Sequence, residues 1–229
     1  MTSLRTVSAG GLEVFYREAG EPGAPKLLLL GGFPSSSHQF RNLMPALADR
    51  FHLVSIDYPG FGNTEMPDPA EWDYTFDHLA EIVDEALLAI DFTGPMGLYM
   101  QAHGGPIGNR LISLHPDWLQ WQVIQNANTY EEGFTAVWDG IRHALWANRN
   151  ARTEAPLEAF LEPETLKAIY LTGHPIRRRS ARTTGTWICT SWPGRTRAVH
   201  SWISSTTTGR TPPSTPPGRD DCAVTSPRR

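Results

Sequence analysis

The chain has 229 residues, of which 40% are hydrophobic, and a formal net charge of −4 at pH 7. No run approaches the roughly 20 apolar residues of a membrane span, and the start Met-Thr-Ser-Leu-Arg lacks the apolar stretch of a secretion signal. We therefore expect a cytoplasmic protein without a membrane partner. Cys189 and Cys222 form no CxxC pair and have no matching histidine spacing, so the sequence predicts neither a disulfide nor a metal site.

The composition changes abruptly after Pro175. Residues 1–175 contain 10 basic and 22 acidic side chains and carry a net charge of −12, whereas residues 176–229 carry +8. The second segment has no Leu, Phe, Tyr or Met, and 18 of its residues are Ser or Thr. Because such a segment buries too little apolar surface to offset the entropy of ordering it, we expect it to be disordered.

Strand-like and helix-like stretches alternate in the first 175 residues, which is typical of helices around a mostly parallel sheet. Residues 12–17 alternate like an outer strand, and the continuous apolar run 26–30 indicates a strand buried on both faces. A helix is predicted over residues 40–47, with Ser36 or Ser37 as its cap.

The next predicted strand covers residues 52–57 and ends in a loop rich in glycine. Asp57 stands at the end of this strand, where we expect its carboxylate to fix the loop through hydrogen bonds. Residues 76–90 then place apolar side chains at helical spacing, which predicts an amphipathic helix.

Residues 98–108 have the pattern of a strand, a sharp turn and a helix start, with Ala102 at the turn. That spacing is typical of a nucleophile elbow, in which a Ser, Asp or Cys stands on a strained turn and small residues two and three positions later allow close packing. Gly104 and Gly105 are those small residues here. The alanine methyl group cannot act as a nucleophile, so the reactive side chain is absent.

A further strand is predicted at residues 122–125, followed by apolar residues at helical spacing from 134 to 170. Four tryptophans in this half of the chain favour packing in the core or in a helical layer above it, and one of them alternatively lines a substrate pocket. They are Trp118, Trp121, Trp138 and Trp146.

Several motifs occur together in one order and spacing. They are Gly32-Phe33-Pro34, Phe40-Arg41-Asn42-Leu43, Asp57-Tyr58-Pro59-Gly60-Phe61-Gly62, Asp73-Tyr74-Thr75-Phe76, Gly104-Gly105-Pro106-Ile107-Gly108 and Gln125-Asn126-Ala127-Asn128. On these residues the chain resembles the haloalkane dehalogenase and epoxide hydrolase branch of the α/β-hydrolase superfamily, from residue 10 to about residue 175.

The resemblance implies an α/β fold of the α/β-hydrolase type, a mostly parallel sheet with flanking helices and a partial helical cap. Residues 1–130 would form the N-terminal part of the core and residues 131–175 part of the cap. Residues 176–229 would be the basic tail, with the C-terminal part of the fold missing. Relatives cleave carbon–halogen, epoxide or ester bonds of small molecules through a covalent intermediate and without a cofactor, so we expect no cofactor and no metal.

The resemblance also assigns site residues by position. Ala102 occupies the nucleophile position, and the backbone amides of Phe33 and His103 form the oxyanion hole, which does not depend on their side chains. Gly31 replaces the family's histidine before Gly32. The family's acid and catalytic histidine come after the cap, which this chain does not reach, so we expect an inactive or nearly inactive copy.

Other readings of these side chains stay open at this point. Thr172-Gly173-His174 mimics the family's Gly-His pair but fits a helix C-terminus better. The cluster Ser35-Ser36-Ser37-His38 contains hydroxyls that suit a nucleophile, although serines before a helix are usually caps. His103 either lines the pocket or serves as a base or metal ligand.

The tail fits the family when its codons are read two bases later. Residues 183–192 then permit Asp-Trp-Asp-Met-Asp-Leu-His-Phe-Leu, which supplies the Leu that the tail lacks together with further Asp. Our hypothesis is a frameshift near residues 175–180, and the alternative is a natural basic linker.

A binding or scaffold protein with a basic tail is the competing function. The tail has no Lys, Tyr or Phe, so we expect no nucleic-acid partner. A third possibility is an active hydrolase that uses Ser37 or His103.

Overall fold

A mixed six-stranded sheet lies at the centre of the part of the chain that the structure describes. The computed structural model describes residues 1–128, 130–140, 143, 148 and 150–172. The strands are β1 (Ser3–Ala9), β2 (Leu12–Ala19), β3 (Lys26–Leu30), β4 (His52–Ile56), β5 (Met96–Gln101) and β6 (Leu119–Gln125). They are ordered β1-β2-β4-β3-β5-β6, and β3 to β6 run parallel. The predicted α/β fold with a mostly parallel sheet is confirmed.

Helices connect the parallel strands, and two further described helices follow the last strand. They are α1 (Leu43–Leu47), α2 (Phe76–Ala89), α3 (Gly104–Leu114), α4 (Ala151–Phe160) and α5 (Pro163–Leu171). The prediction of one helix over residues 40–47 is wrong in detail, because a 3-10 turn, Ser37–Phe40, precedes the short α1. None of the described helices is long and apolar enough to cross a membrane.

The first two strands form a hairpin that differs from the prediction for residues 12–17. β1 pairs antiparallel with β2 through a turn at Gly10 and Gly11, whose φ angles of 56° and 75° suit glycine. β2 is therefore an inner strand between β1 and β4 rather than an outer one. The alternating pattern of residues 12–17 led to the wrong prediction of an outer strand, because β1 pairs with the outer edge of β2.

The buried run of β3 explains why the sheet has a core on both sides. Leu28 and Leu30 face the cluster that includes α2 and α3, whereas Leu27 and Leu29 face the cluster that includes Phe40 and Met44. The apolar face of α2 supplies Leu79, Ile82, Val83, Ala86 and Leu87 to the first cluster, as its spacing predicts. These two clusters, one on each side of the sheet, hold the ends of β3, β4 and β5 in fixed positions.

The segment after the sheet contains two described helices. Asn150 caps α4 by accepting hydrogen bonds from the amides of Arg152 and Thr153. α5 begins at Pro163 and ends at Leu171. That residues 131–175 form part of a cap stays a prediction. Trp146 and the tail, residues 176–229, lie outside the described residues.

Candidate functional site

The turn between β5 and α3 has the geometry that the sequence predicts for residues 101–104. β5 ends at Gln101, α3 begins at Gly104, and Ala102 between them has a φ of 48°. This left-handed conformation costs a residue with a Cβ about 1 kcal/mol. A strained turn at the end of a parallel strand, held by the surrounding structure, is common at functional sites.

Glycines let the turn and α3 approach the sheet closely. A Cβ on Gly104 would lie 2.3 Å from the carbonyl oxygen of Leu30, and one on Gly108 would lie 2.4 Å from the Met100 sulfur. A Cβ on Gly32 would lie 2.5 Å from the Cβ of Ala102. The loop after β3 therefore lies directly against residue 102, at the carboxyl ends of two adjacent strands.

We expect Gly104→Ala to lower the free energy of unfolding by about 1–3 kcal/mol, because the added methyl group meets the backbone of Leu30. Urea unfolding of the variant measures the loss. Gly23→Ala is the matched control, since nothing lies within 4 Å of a Cβ there. An equal effect of the two substitutions would contradict close packing of α3 on β3.

We expect Ala102→Gly to raise the free energy of unfolding by about 0.5–1 kcal/mol, because glycine adopts the φ of 48° without steric cost. The same substitution at Ala86, inside α2, is expected to lower the stability by a similar or larger amount. Denaturant midpoints of both variants provide the comparison. A destabilising Ala102→Gly would show that the turn is not strained.

The loop that follows β3 is tied to the end of β4. The Tyr58 hydroxyl donates a hydrogen bond of 3.0 Å to the carbonyl oxygen of Gly31. The Ser35 amide donates to the carbonyl oxygen of Gly32 at 2.9 Å, which closes a turn around a cis Phe33-Pro34 bond. The Phe33 ring then lies 5.6 Å from the His103 ring, centroid to centroid. The loop and the β5–α3 turn thus contact each other at two points.

Asp57 fixes the loop after β4, as the sequence predicts, and it also fixes the loop after β3. Its side chain is 1% exposed and accepts hydrogen bonds from the amides of Ser37 at 2.6 Å and Asn63 at 3.0 Å. Burial raises the pKa of this carboxyl group, and the two amides, the Ser37 hydroxyl and the Arg17 charge oppose that rise. The carboxylate therefore joins the loop after β3 to the glycine-rich loop after β4.

His103 stands in an aromatic environment. Its ring lies 5.3 Å from Phe76, 5.6 Å from Phe33 and 5.9 Å from Phe61, measured between centroids. Burial lowers the pKa of His103 to about 3. The imidazole is therefore neutral near pH 7 and contributes an uncharged wall beside Ala102, and among the described residues no metal-binding group of three His, Cys, Asp or Glu side chains includes it.

The serine cluster has structural partners. The Ser36 hydroxyl accepts a hydrogen bond of 3.2 Å from the His38 amide and caps the 3-10 turn before α1, whereas the prediction placed this cap on a helix over residues 40–47. Ser37 is 2% exposed, and its hydroxyl accepts from Arg17 Nε at 3.0 Å and bonds to Asp57. Ser35 bonds to the hydroxyl of Tyr170. A buried Ser37 with these two partners does not fit the role of an alternative nucleophile.

Two contacts of the site have no signal in the sequence. Tyr58 and Tyr170 both hold the loop after β3, the first from the loop after β4 and the second from α5. Burial raises the pKa of both phenols.

In the cluster of residues 172–174, Thr172 follows the end of α5 and its hydroxyl donates to the carbonyl oxygen of Ala168 at 2.7 Å. Gly173 and His174 lie outside the described residues.

Packing of the tryptophans varies. The ring of Trp118 stacks on His115 at 3.9 Å, and Trp138 lies 5.6 Å from Phe134. Trp121 lies over Gly97 on β5 and 5.9 Å from the Phe51 ring, but it keeps 40% of its surface exposed. The cause is its position on an edge strand.

A family model described as the alpha/beta hydrolase fold matches residues 25–212. An uncharacterized hydrolase of Saccharomyces cerevisiae is 44% identical over 136 residues, which are 59% of this chain and 46% of that protein. A haloalkane dehalogenase of Psychrobacter cryohalolentis is 34% identical over 107 residues, 46% of this chain and 35% of that one. The chain thus spans less than half the length of these two curated relatives.

The fold is also similar to that of solved structures. The epoxide hydrolase CorEH superposes with a TM-score of 0.69 at 20% identity, and the match covers 90% of this chain and 74% of that one. At this identity the likeness concerns the fold alone.

Proposed function

The chain belongs to the α/β-hydrolase fold family, and from this premise we propose that it derives from a hydrolase of haloalkane or haloacid, epoxide or ester substrates and has lost its nucleophile at Ala102. The observation that carries the proposal is the φ of 48° at an alanine between β5 and α3. A strained alanine has no use of its own there, whereas a strained Ser, Asp or Cys would present its side chain to a substrate.

The backbone amides of Phe33 and His103 are proposed as the oxyanion hole. Their segments contact each other through Gly32 and Ala102 and through the two rings. Tyr58 and Asp57 hold the loop that carries Phe33. Backbone donors fixed in this way stabilise a developing negative charge without reorganising, and they do so whatever side chain stands at position 102.

The chemistry proposed for the ancestor is substitution through a covalent ester. An aspartate at position 102 would attack carbon, the carbon–halogen or epoxide C–O bond would break, and a water activated by a histidine would cleave the ester. The relatives named haloalkane dehalogenase support this class. In this chain the first step has no nucleophile, so we propose that the protein is catalytically impaired. The site residues named above require no cofactor.

We further propose that the codons after residue 175 are out of frame and that the protein is cytoplasmic. The support is the change from a net charge of −12 to +8 together with the loss of Leu, Tyr and Glu. A frameshift there would remove the acid and the histidine that this family places after the cap. The tail then contributes nothing to the site.

A non-catalytic binding protein is the second candidate function. It is favoured by one observation: the loop after β3, its anchors and the aromatic wall around His103 are all intact beside Ala102. Such a protein would bind a small molecule near the turn without converting it.

Sequencing the coding DNA tests the frameshift, and an assay of the purified chain tests the impairment. We expect an alternative frame that encodes a family-like continuation, and no multiple turnovers on haloalkanes, epoxides or small esters. An intact frame without such a continuation would refute the frameshift. Multiple turnovers by the unaltered chain, free of contaminating esterase, would show that the active site is elsewhere.

A further inference from the structure

Arg17 is a half-buried charged residue of β2 that lies beside the loop after β3. Its Nε atom donates a hydrogen bond of 3.0 Å to the Ser37 hydroxyl, and its guanidinium carbon lies 5.7 Å from the centre of the Phe15 ring. Burial lowers the pKa of Arg17, the Asp57 charge raises it, and the Arg41 charge lowers it. Because a partly dehydrated cation near a second cation is unfavourable, the Asp57 carboxylate is the partner that offsets this burial.

The two oxygens of the Asp57 side chain hold two different loops. Oδ1 accepts a hydrogen bond of 2.6 Å from the Ser37 amide, and Oδ2 accepts one of 3.0 Å from the Asn63 amide. A carboxylate accepts on both oxygens, whereas a protonated carboxyl group carries a proton on one of them and donates there. Protonation of Asp57 would therefore weaken one of the two bonds and loosen one loop from the other.

The Ser37 hydroxyl connects Arg17 to Asp57. Its oxygen accepts from Arg17, so its proton is directed to the Asp57 carboxylate, with which it also forms a hydrogen bond. Burial raises the pKa of Asp57, and the amides of Asn63 and Ser37, the Ser37 hydroxyl and the Arg17 charge lower it. The last two of these opposing influences both depend on Arg17.

The loop that Asp57 holds is the loop that lies against position 102. A Cβ on Gly32 would lie 2.5 Å from the Cβ of Ala102. The Ser35 amide closes the turn onto the carbonyl oxygen of Gly32 at 2.9 Å, and Ser37 follows two residues later. A displacement of Ser37 is therefore transmitted through a short, hydrogen-bonded turn to the residues beside position 102.

We propose that Arg17 is a positioning residue of the site at position 102, where it keeps Asp57 ionised and thereby keeps the loop after β3 in place. It acts through the Ser37 hydroxyl and the Asp57 carboxylate rather than on the reacting atoms. The inference rests on the proposed function, because it concerns the same site.

The other titratable groups that the described residues place around Asp57 keep one charge state near neutral pH. Burial and the charges of Arg41 and Arg17 lower the pKa of His38 to about 4, so its imidazole, whose Nδ1 lies 3.4 Å from Arg17 Nη2, is neutral. Burial and the Asp57 charge raise the pKa of the Tyr58 phenol, which is neutral as well. Loss of the Arg17 charge is therefore expected to act on the protonation of Asp57.

The rate of ester formation at residue 102 of the Ala102→Asp variant measures the effect. The probe is 1-bromobutane, and Cys189→Ser and Cys222→Ser remove competing thiols. Arg17→Met keeps the apolar stem without the charge, and at about pH 6 we expect it to lower the rate by about tenfold or more, since small misplacements of a reacting group have effects of this size. The loss relative to the parent variant should shrink towards about pH 8, where Asp57 ionises again.

Three variants in the same background separate positioning from a general loss of structure. Arg17→Lys keeps the charge and is expected to keep most of the rate at both pH values. Arg5→Met is the matched control, because Arg5 lies on β1 and pairs with Glu18 at 3.5 Å, and it should leave the pH profile unchanged. Asp57→Asn has one oxygen acceptor, like the protonated acid, so it should be slow at both pH values, and adding Arg17→Met should change little.

Hydrogen exchange of the Ser37 amide, in the chain that keeps Ala102, gives a readout that requires no chemistry at residue 102. We expect Arg17→Met to accelerate this exchange at about pH 6 and Arg5→Met not to, and circular dichroism verifies that each variant is folded. Equal pH profiles for these two variants, or a full effect of Arg17→Met in the Asp57→Asn background, would overturn the inference and leave the proposed function intact. If no variant forms an ester at residue 102, the proposed function fails. In that case an unchanged Ser37 exchange rate in Arg17→Met overturns the inference as well, and an accelerated one supports the hold of Arg17 on the loop.

Discussion

Multiple turnovers are expected to be absent from the Ala102→Asp variant of this chain and present when the same substitution is made in a chain whose frame is corrected after residue 175. In the first protein the new carboxylate has no histidine to activate the water that cleaves its ester. Removing one member of a catalytic unit lowers the rate by roughly 10⁴-fold or more, and restoring another member does not recover it. Halide release, epoxide opening and ester hydrolysis under excess substrate measure the rates.

Ala102→Asn in the frame-corrected chain is the control for this comparison. Asparagine matches aspartate in size and also tolerates the φ of 48°, but its amide is a poor nucleophile. It is expected to be inactive. Turnover by Ala102→Asp without the frame correction would refute the role proposed for the missing segment, because a base would then have to be present in residues 1–229.

The stability of the chain is expected to fall as the pH is lowered from about 6.5 towards 4, with a large contribution from His103. Burial lowers its pKa in the folded state from 6.5 to about 3, whereas the unfolded chain binds a proton below about 6.5. The stabilisation is therefore complete above pH 6.5 and is lost as the pH falls, by about 1.4 kcal/mol per pH unit once the unfolded-state histidine is protonated.

His103→Phe is expected to make this dependence shallower by the contribution of His103, because phenylalanine fits the aromatic environment and does not titrate. Urea unfolding at several pH values measures the slope for each protein. Phe76→Leu is the control, since it loosens the same cluster without removing a titratable group and should lower the stability equally at all pH values. An unchanged slope in His103→Phe would mean that the imidazole is not buried.

The fold was predictable where one physical signal dominates. The apolar run of β3 and the one-sided spacing of α2 each indicate their burial directly. The hairpin strand β1 was not predicted, because its side chains are largely exposed and polar and its pairing depends on the Gly10-Gly11 turn. β6 starts at Leu119 rather than at residue 122, directly after a 3-10 turn at Pro116–Trp118, and the alternation of Gln with apolar side chains in its first part is a strand signal that the prediction did not use.

The site was predictable in part for a similar reason. The elbow was visible because close packing requires glycine at positions 104 and 108, and a required glycine leaves a mark in the sequence. The cap at Ser36 and the anchor at Asp57 are local and follow from residue type and strand position. The contact of Tyr170 with Ser35 joins residues far apart in the chain, and no local pattern predicts such a pair.

Intact mass spectrometry of the Ala102→Asp variant with a bromoalkane tests the central claim most directly. The account predicts one alkyl group per protein, localised to residue 102 by peptide mapping, with one halide released for each ester formed. The ester should persist, because no group activates water to cleave it, and Ala102→Asn should remain unmodified. A folded Ala102→Asp protein that acquires no adduct at residue 102, or that acquires it at another residue such as Ser37, would show that this turn is not a nucleophile elbow.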